Sequence, residues 1–411
     1  MKRYYYIKTF GCKLNVADSF LYEKVLKSFL LESSEKDADL ILVNSCGVID
    51  KTERKVIKTI QDYKKQGKFV ILTGCLPYIS EKKLDKIADE IVKIKDLKKI
   101  KNILERVANK KEDKTKLESL KTPFSAIVPI AEGCLGNCSY CGTKIARPAL
   151  KSRKQDDILE EIEKLLEKGC KEIQITSQDL AVYGMDRGEQ ELPELLEKII
   201  SIDKFFRLRI GMTNPGYTRK ILPKLLKIYE SEKIYNYIHI PVQSGDDEIL
   251  KKMNRKHTVS DFVEICTAFY EKFSDFIVAT DVIIGFPGES ENSFKKTYNL
   301  IEKTKPHIVN ITRFSPRSGT EATNMKDMPE KIKKERSRKL NKLTKEIRIE
   351  QNRKYKNKKY NVLISKKGKN DTFIARLPNY KALIIEEGNL KEFREAVVTG
   401  YEHNYLKGKI L

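Results

Sequence analysis

Residues 132–142 read EGCLGNCSYCG, a glycine-rich stretch that follows an apolar run predicted to be a strand. Its cysteines, Cys134, Cys138 and Cys141, have the spacing CxxxCxxC. Three thiolates at such intervals can bind three irons of a 4Fe-4S cluster. The next cysteine, Cys170, lies 29 residues further along, so the fourth iron is expected to lack a local thiolate and to accept an external ligand.

A zinc site and a set of ordinary buried thiols stay open as alternatives for these cysteines. A structural zinc ion usually takes four ligands, commonly as two pairs, and this loop offers three. Buried cysteines that only fill space have no reason to recur at these intervals in a glycine-rich loop. The spacing therefore favours an iron–sulfur cluster.

Three further cysteines each follow a predicted strand near the amino terminus. Cys12 lies in TFGCKLN, Cys46 in VNSCGV and Cys75 in LTGCLP. In an open parallel sheet, ligands bind in the crevice beyond the carboxyl ends of the strands, so these cysteines are expected to converge there. The alternative is that one or two of them are small buried residues.

The first hundred residues alternate between strand and helix patterns, which predicts an α/β domain with a parallel sheet. The expected strands are Tyr4–Phe10, Asp39–Asn44 and Phe69–Thr73, and the expected helices are Ser19–Leu31 and Thr52–Lys65. Residues 107–122 are polar and charged and are expected to form a linker.

A second alternating series begins near Ala126 and predicts a partial or complete barrel of parallel strands, with an open doubly wound sheet as the alternative. The expected strands are Ala126–Ala131, Glu172–Thr176, Phe206–Ile210, Tyr237–Val242, Ile277–Ile284 and Ile308–Phe314. Polar side chains at the strand ends of a barrel are candidates for ligand binding. Here they are Gln178, Gln243 and Asp281.

The positive charge is concentrated in one segment near the carboxy terminus. The formal net charge is +23, and residues 331–369 hold 17 Lys or Arg against 3 Glu, a net charge of +14. A Lys- and Glu-rich surface, as in proteins from hot environments, would intersperse the two signs, so this block favours a nucleic-acid partner. Residues 370–411 are balanced in charge and read as short strands, which predicts a small β-barrel.

Composition sets the expected compartment. We find no apolar run of about 18 residues or more and no signal-peptide pattern, so a cytoplasmic protein without a membrane span is expected. Eight cysteines in 411 residues are sparse for a disulfide scaffold. Clustered cysteines in a reducing compartment are more typical of metal ligands.

The CxxxCxxC loop, with the aromatic Tyr140 before its last cysteine, resembles the signature of the radical S-adenosylmethionine (SAM) superfamily. The resemblance implies that the three loop cysteines are the catalytic cluster ligands and that the open iron chelates SAM. An electron from the cluster would cleave SAM to a 5′-deoxyadenosyl radical, which the protein positions and shields. DVIIGFPGE resembles the superfamily segment beside the adenosyl group. The expected cofactor contacts are Tyr140, Gln178, Gln243, Asp281, Gly285 and Pro287.

TFGCKLNVADS, VNSCGVIDKTERK and TGCLP resemble corresponding segments of the radical SAM methylthiotransferases. The resemblance implies that Cys12, Cys46 and Cys75 hold a second 4Fe-4S cluster, whose open iron carries the sulfur or methylsulfur group destined for the substrate. It also implies an electron donor and a sulfur source as partners. RFSPRSGTEA, residues 313–322, resembles a further family segment and is expected to close the barrel near the substrate.

CLGNCSYCGTKIAR, from Cys134 to Arg147, resembles the archaeal and eukaryotic branch of that family. The substrate of this branch is N6-threonylcarbamoyladenosine at position 37 of tRNA, and the implied reaction adds a methylthio group to carbon 2 of the adenosine. The same chemistry on isopentenyladenosine or on a ribosomal protein stays an alternative. So does a non-catalytic, metal-containing RNA-binding protein.

The carboxy-terminal residues resemble the TRAM domain, a small RNA-binding β-barrel, through NRKYKNKKYNVLIS and RLPNYKALII. Cations bind phosphates and tyrosine stacks on bases. The expected RNA contacts are Arg147, Arg153, Arg376, Tyr380 and Lys381. The predicted domains are 1–108, the methylthiotransferase amino-terminal domain, 120–350, the radical SAM domain, and 352–411, the TRAM domain.

Overall fold

The structure, a computed structural model, describes residues 4–48, 50–79, 84, 86–109 and 124–411. Residues 110–122 of the predicted linker therefore lie outside the described residues. The chain divides into two compact units. The amino-terminal unit comprises Met1–Lys121, Tyr140–Ala149 and Ser315–Asn324, and the larger unit comprises Thr122–Ser139, Leu150–Phe314 and Met325–Leu411.

The described residues between 4 and 109 form a parallel α/β sheet, as predicted. The elements are β1 (Tyr4–Thr9), α1 (Lys13–Lys27), β2 (Leu31–Glu32), β3 (Leu40–Ser45), α2 (Asp50–Lys65), β4 (Phe69–Gly74), α3 (Leu76–Ile79), β5 (Glu90–Ile91) and α4 (Leu97–Ala108). The strand order is β2-β1-β3-β4-β5, and every pair is parallel. The connection after β1 leads to β2 on one side of the sheet, and the connection after β3 leads to β4 on the other side. A topological switch point therefore lies between β1 and β3.

Apolar side chains cover both faces of this sheet, as a parallel sheet requires. One core joins the sheet to α1 and α4, and another joins it to α2 and α3. The predicted first helix, Ser19–Leu31, begins six residues too late and ends four residues too late, because α1 starts directly after Cys12 and ends at Lys27. Cys12 occupies the N-cap without a side-chain cap, so the sequence carried no capping signal for this start.

The second series of elements forms the predicted barrel domain. The elements are β6 (Ser125–Pro129), β7 (Ala131–Glu132), α5 (Thr143–Ala146), β8 (Lys151–Ser152), α6 (Gln155–Glu167), β9 (Glu172–Thr176), α7 (Leu192–Ser201), β10 (Arg207–Ile210), α8 (Pro215–Lys220), α9 (Leu222–Ile228), β11 (Tyr237–His239), α10 (Asp247–Lys252), α11 (Val259–Lys272), β12 (Ile277–Ile284), α12 (Glu291–Thr304), β13 (Ile308–Arg313) and α13 (Glu330–Arg353). Short 3-10 turns cover Leu180–Val182, Met185–Arg187 and Glu321–Asn324.

Six parallel strands of this series follow one another in space in chain order. They form the sheets β6-β9-β10 and β11-β12-β13, and a parallel bridge between Met212 and His239 joins the two. Because the order never reverses, this is a partial (β/α) barrel, and the doubly wound alternative is wrong.

Side chains alternate between the two faces of each barrel strand. Ile173, Ile175 and Leu208 belong to the apolar core between strands and helices. The intervening residues are polar and face the concave interior of the barrel. There Tyr235 donates a hydrogen bond to the carboxylate of Glu172 over 2.8 Å. The barrel therefore has an apolar outer layer, polar interior side chains on β9 and β10, and an apolar cluster of Tyr235, Tyr237, Ile277 and Ala279 beside them.

The carboxy-terminal strands form the predicted small barrel. They are β14 (Lys359–Lys367), β15 (Phe373–Arg376), β16 (Ala382–Ile385), β17 (Phe393–Tyr401) and β18 (Leu406–Ile410), closed in the order β14-β15-β16-β18-β17. Closure leaves no exposed sheet edge. Among the described residues, no helix is long and apolar enough to cross a membrane.

Candidate functional site

The CxxxCxxC loop begins directly after β7 and is held in place by hydrogen bonds from two neighbouring loops. Gly133, with a φ of +79°, donates its backbone N–H to Oε1 of Gln178 over 2.8 Å. Nδ2 of Asn254 donates to the carbonyl of Asn137 over 2.7 Å. Gln178, which the sequence suggested as a cofactor contact, therefore holds the start of the cysteine loop.

Two cysteine sulfurs of this loop lie within hydrogen-bond distance of N–H donors. The backbone N–H of Gly136 lies 3.2 Å from Sγ of Cys134, and Nη1 of Arg255 lies 3.6 Å from Sγ of Cys138. The third cysteine, Cys141, belongs to the amino-terminal unit together with Tyr140. The donor set, three cysteines of one loop, fits a 4Fe-4S cluster with one iron open.

Two charged residues that the sequence analysis does not single out, Asp179 and Arg255, lie beside the cysteine loop. A carboxylate oxygen of Asp179 lies 4.0 Å from Sγ of Cys134. Burial raises the pKa of Asp179 to about 6, although backbone hydrogen bonds from Asn214 and Ala181 and the charge of Arg255 act in the other direction. Arg255 follows α10 in a segment without a recognisable motif, so only the tertiary structure identifies it.

Asp281 lies in the barrel interior, where two neighbouring strands supply hydrogen-bond donors. Oδ1 of Asp281 is 3.0 Å from Nε2 of His239 on β11 and 2.7 Å from Nδ2 of Asn310 on β13. Burial by itself would raise the pKa of Asp281. The hydrogen bonds from His239 and Asn310 and the charge of Arg255 outweigh burial, so its pKa is lowered and the carboxylate stays ionised.

Gln243 has the strained backbone that often marks a binding site. Its φ is +70°, in the left-handed region that glycine prefers, and its backbone N–H donates to the carbonyl of Asp281 over 2.8 Å. Its Oε1 atom is buried and has no hydrogen-bond partner among the described residues. A buried amide oxygen without a partner fits a donor on a bound ligand.

Gly285 makes room for a neighbouring side chain of the fold. The sequence suggested that it lets a ligand approach the backbone. A Cβ atom at this position would instead collide with the side chain of Lys333, which the glycine accommodates at a φ of +73°. Pro287 is buried. The glycine is therefore required by the packing of α13.

Cys12, Cys46 and Cys75, which we call the three-cysteine site, converge at the edge of the amino-terminal sheet. Oδ1 of Asn15 lies 3.9 Å from Sγ of both Cys12 and Cys75. A Cβ atom on Gly11 would lie 2.8 Å from Cβ of Cys46, so this cysteine also lies against the Cys12 loop. The three cysteines follow β1, β3 and β4, beside the switch point of the sheet.

Asn15 fixes this arrangement. It is 1% exposed, and its Nδ2 atom donates to the carbonyls of Phe10 and Ser45 over 2.9 and 3.0 Å. These carbonyls lie at the ends of β1 and β3, so one side chain joins the loops that carry Cys12 and Cys46. No sequence pattern singled out Asn15, although it stands only three residues after Cys12.

The three-cysteine site suits a cluster better than a single ion. Within the described residues, no three His, Cys, Asp or Glu side chains are arranged so that they could hold a single metal ion. In a 4Fe-4S cluster each thiolate binds a different iron, so its cysteines need not close around one point. Burial raises the pKa of Cys75 to about 12, and the nearby Arg147 opposes that effect. Iron binding would supply the positive charge that a buried thiolate needs.

The structure gives the predicted RNA contacts intramolecular partners. The Arg147 side chain is 1% exposed and forms an ion pair with Asp18, so it is not available for the RNA contact that the sequence suggested. Arg153 donates to the carbonyl of Pro129 over 2.8 Å and pairs with Glu161. Both arginines are thus used within the fold.

The TRAM residues selected from the sequence are also engaged within the chain. The ring of Tyr380 packs against Tyr235, with centroids 4.9 Å apart, and the guanidinium of Arg376 lies 4.4 Å from the Tyr380 centroid. Nζ of Lys381 forms a hydrogen bond with Oδ1 of Asn352 on α13. These contacts argue against a direct RNA contact by the Tyr380 ring and the Lys381 amine.

The basic block instead presents its charge on α13 and the residues that follow it. From Glu330 to Lys359, eleven Lys or Arg are exposed against four exposed Glu. Lys334, Arg338, Lys342 and Lys345 recur at helical spacing and are all exposed. This exposed row is a better candidate for binding phosphates than the residues chosen from the sequence.

The chain matches three families along its length. Residues 128–301 match the radical SAM superfamily, residues 353–411 match the TRAM domain, and residues 4–95 match the family described as Uncharacterized protein family UPF0004. Each match lies within one of the three predicted domains, whose boundaries stay a prediction.

Relatives cover nearly the whole chain. A probable threonylcarbamoyladenosine tRNA methylthiotransferase from Archaeoglobus fulgidus is 45% identical over 98% of this chain and 98% of its own length. A tRNA-2-methylthio-N(6)-dimethylallyladenosine synthase from Petrotoga mobilis is 34% identical over 93% of this chain and 92% of its own length.

A solved structure is similar in fold. TsrM, a radical S-adenosylmethionine methyltransferase from Kitasatospora setae, aligns with a TM-score of 0.56 over 79% of this chain and 77% of that one. The two sequences are 11% identical, so the likeness concerns the fold alone.

Proposed function

The chain belongs to the tRNA methylthiotransferases, a family of radical SAM enzymes, and from that premise we propose that it adds a methylthio group to carbon 2 of N6-threonylcarbamoyladenosine at position 37 of tRNA. The observation that carries this proposal is the convergence of Cys12 and Cys75 on Asn15, with Cys46 against the same loop. Cleavage of SAM requires one cluster, for which the CxxxCxxC loop is sufficient. The additional three-cysteine site supports sulfur transfer.

We assign the two cysteine sets to two clusters. The enzyme class implies SAM and one 4Fe-4S cluster, which we place at Cys134, Cys138 and Cys141. Bound there, the cluster supplies the electron that cleaves SAM and starts hydrogen abstraction. The second cluster, at the three-cysteine site, is part of the proposal, as are an electron donor and a sulfur source.

The chain's own residues hold and orient these groups. Gln178 and Asn254 fix the CxxxCxxC loop, while Arg255 donates a hydrogen bond to the thiol of Cys138. The ionised carboxylate of Asp281 and the buried Oε1 atom of Gln243, which has no partner among the described residues, are both hydrogen-bond acceptors. Amino and hydroxyl groups of SAM are hydrogen-bond donors, so we retain both residues as cofactor contacts.

The tRNA partner is proposed to bind along α13. The exposed row Lys334, Arg338, Lys342 and Lys345 supplies charge for backbone phosphates, and such contacts position an RNA without reading its sequence. A cytoplasmic location accords with this substrate and stays a prediction.

Activity on defined RNAs tests the proposal. The reconstituted enzyme, SAM, a sulfide source and a low-potential reductant would be incubated with tRNA bearing threonylcarbamoyladenosine, dimethylallyladenosine or unmodified adenosine at position 37. We expect mass spectrometry of the digested nucleosides to show a methylthio group on the threonylcarbamoyl nucleoside. Modification of dimethylallyladenosine alone would mean that the chain acts on the substrate for which its Petrotoga mobilis relative is named.

Two controls separate the chemistry from the substrate. The variant C134A/C138A/C141A should neither cleave SAM nor modify any tRNA. Iron analysis of the reconstituted wild type should give about eight irons per chain if both clusters form, and about four if only one forms. Stoichiometric zinc in place of iron would instead support a non-catalytic RNA-binding protein.

A further inference from the structure

Two buried arginines lie in the amino-terminal unit although neither belongs to the first 109 residues. Arg147 follows α5, and Arg317 lies in residues 315–324, most of which belong to the segment 313–322 that was predicted to close the barrel near the substrate. The side chain of Arg147 is 1% exposed and that of Arg317 is 6% exposed. Arginine is almost never buried to this extent without a specific partner.

Arg147 connects an acidic side chain to the three-cysteine site. Its guanidinium forms an ion pair with Asp18 of α1, whose side chain is 2% exposed. Burial raises the pKa of the Cys75 thiol to about 12, and the charge of the Arg147 guanidinium acts in the other direction. Nζ of Lys95 also lies 3.6 Å from Asp18, so the carboxylate has two cationic neighbours. Arg147 is thus held in position at one cysteine of the site.

Arg317 repeats this arrangement at another cysteine. Its Nη1 atom lies 2.7 Å from a carboxylate oxygen of Glu53 on α2, whose side chain is 6% exposed. Burial lowers the pKa of Arg317, and the charges of Glu53, Asp50 and Cys46 act in the other direction. Each arginine therefore pairs with an acid from a different helix and approaches a different cysteine.

Stability alone does not account for two such pairs. Removing both charges of an ion pair from water costs more than packing apolar side chains of the same volume, and replacement by apolar groups is often neutral or stabilising. Three thiolates in one site, in contrast, bring a local negative charge that needs fixed cations. The two arginines supply that positive charge without exposing the site to water.

We infer that Arg147 and Arg317 are positioning residues that set the reduction potential of a cluster held by Cys12, Cys46 and Cys75. The inference rests on the second cluster of the proposed function. A nearby cation stabilises the more negative, reduced form of a cluster, so each arginine raises the potential. The paired carboxylates of Asp18 and Glu53 act in the opposite direction.

Arg147 also lies in the segment that directly continues the CxxxCxxC loop. Arg147 stands six residues after Cys141. Between them, α5 packs through Ala146 on Cys75 and Ile79 of the amino-terminal unit. The same segment therefore carries both Cys141, the last cysteine of CxxxCxxC, and Arg147, the cation beside Cys75.

The test uses the full-length chain with C134A/C138A/C141A, reconstituted anaerobically, so that iron binds only at the three-cysteine site. Redox titration followed by electron paramagnetic resonance gives its midpoint potential. We expect a negative shift for R147Q, a smaller shift for R147K, and a positive shift for D18N. The opposite signs distinguish electrostatic control from a general disturbance of the fold, which would not reverse sign. R54Q, on an arginine whose side chain is 79% exposed, is the matched control.

Iron content separates the possible failures. A parent chain that binds no iron contradicts the second cluster and with it the proposed sulfur chemistry. Variants that bind about four irons per chain but keep the potential of R54Q overturn the inference on the two arginines. If R147Q binds no iron, the double variant D18N/R147Q replaces it in the test and is compared with D18N. The double variant leaves no unpaired buried charge. The pair E53Q and E53Q/R317Q repeats that comparison at Cys46. A midpoint potential that is more negative in each double variant than in its single variant supports the inference. An unchanged midpoint potential overturns it.

Discussion

The guanidinium carbon of Arg209 lies 4.9 Å from the ring centroid of Tyr380, which places a side chain of the carboxy-terminal barrel against a strand of the radical SAM barrel. Arg209 also donates a hydrogen bond to Tyr237 over 3.3 Å. The backbone N–H of Asn236 donates to the carbonyl of Pro378, in the same turn as Tyr380. The turn between β15 and β16 therefore packs on the cluster of Tyr235, Tyr237, Ile277 and Ala279, near the amino-terminal ends of the strands.

Replacing Tyr380 should destabilise this contact. Tyr380→Ala removes the ring that packs on Tyr235 and Arg209, and we expect the free energy of unfolding to fall by roughly 2–4 kcal/mol. Tyr380→Phe keeps the ring and should change it by less than about 1 kcal/mol. Urea unfolding of both variants gives the comparison.

The same pair of variants decides whether Tyr380 contacts RNA. Tyr380→Phe should bind tRNA as tightly as the wild type in a filter-binding or fluorescence assay. A Tyr380→Ala protein that keeps its full stability but loses tRNA affinity would restore the stacking role suggested by the sequence.

Lys381 should make stability depend on pH in the alkaline range. Burial lowers the pKa of Lys381 from 10.5 to about 8, although the negative charge of Asp275 acts in the other direction. Between about pH 8 and 10.5 the unfolded chain therefore binds more protons than the folded chain, so the free energy of unfolding should rise with pH. One lysine contributes at most about 1.4 kcal/mol per pH unit to the slope of unfolding free energy against pH. This slope vanishes below pH 8, where the lysine is protonated in both states.

Substitution isolates this contribution. Lys381→Met should flatten the rise in unfolding free energy between pH 8 and 10, measured by urea unfolding at each pH. Lys391→Met, at an exposed lysine of the same barrel, is the matched control and should leave the slope unchanged. An unaltered slope in Lys381→Met would mean that Lys381 titrates alike in both states.

Much of the fold followed from local patterns. Runs of β-branched residues predicted β9 and β12 with correct ends, and cysteines directly after strands predicted the three-cysteine site. These features depend on residues close together in sequence. Parallel pairing then brings strand ends to one edge, so the convergence of Cys12, Cys46 and Cys75 required no knowledge of distant contacts.

The residues that were misjudged or missed depend on distant contacts. Arg317 and Glu53 are 264 positions apart, and no sequence pattern links them. Tyr380 and Lys381 suit RNA binding by residue type, but the same types suit packing on another domain equally well. Residue type predicts which interactions are possible, and only the tertiary structure decides which partner is present.

The exposed row on α13 should carry much of the tRNA affinity. Replacing Lys334, Arg338, Lys342 and Lys345 together by alanine should weaken tRNA binding at least about tenfold at moderate salt. Each lost phosphate contact should reduce the slope of log K against log salt concentration by about 0.7–0.9. Affinity measured across a salt series tests both expectations.

A matched control distinguishes this surface from general charge. Lys224 and Lys227 are exposed on α9, and their alanine variant removes positive charge elsewhere in the larger unit. It should leave the salt slope unchanged. An equal loss per charge in both variants would mean that net charge alone attracts the RNA and that α13 provides no specific surface.

Asn15 should be required for metal binding at the three-cysteine site. Asn15→Leu keeps the volume but removes the donor shared by the carbonyls of Phe10 and Ser45. The carbonyl of Phe10 loses this donor, while that of Ser45 keeps the backbone N–H of Cys75. The loss should cost about 1–3 kcal/mol of unfolding free energy and should let the loops of Cys12 and Cys46 separate. We therefore expect the iron content of the C134A/C138A/C141A chain to fall when Asn15→Leu is added. Asn102→Ala, at an exposed residue of α4, is the control. Full iron loading in the Asn15→Leu chain would show that the cysteine loops hold their positions without this side chain, and that the cluster itself, when present, supplies the order.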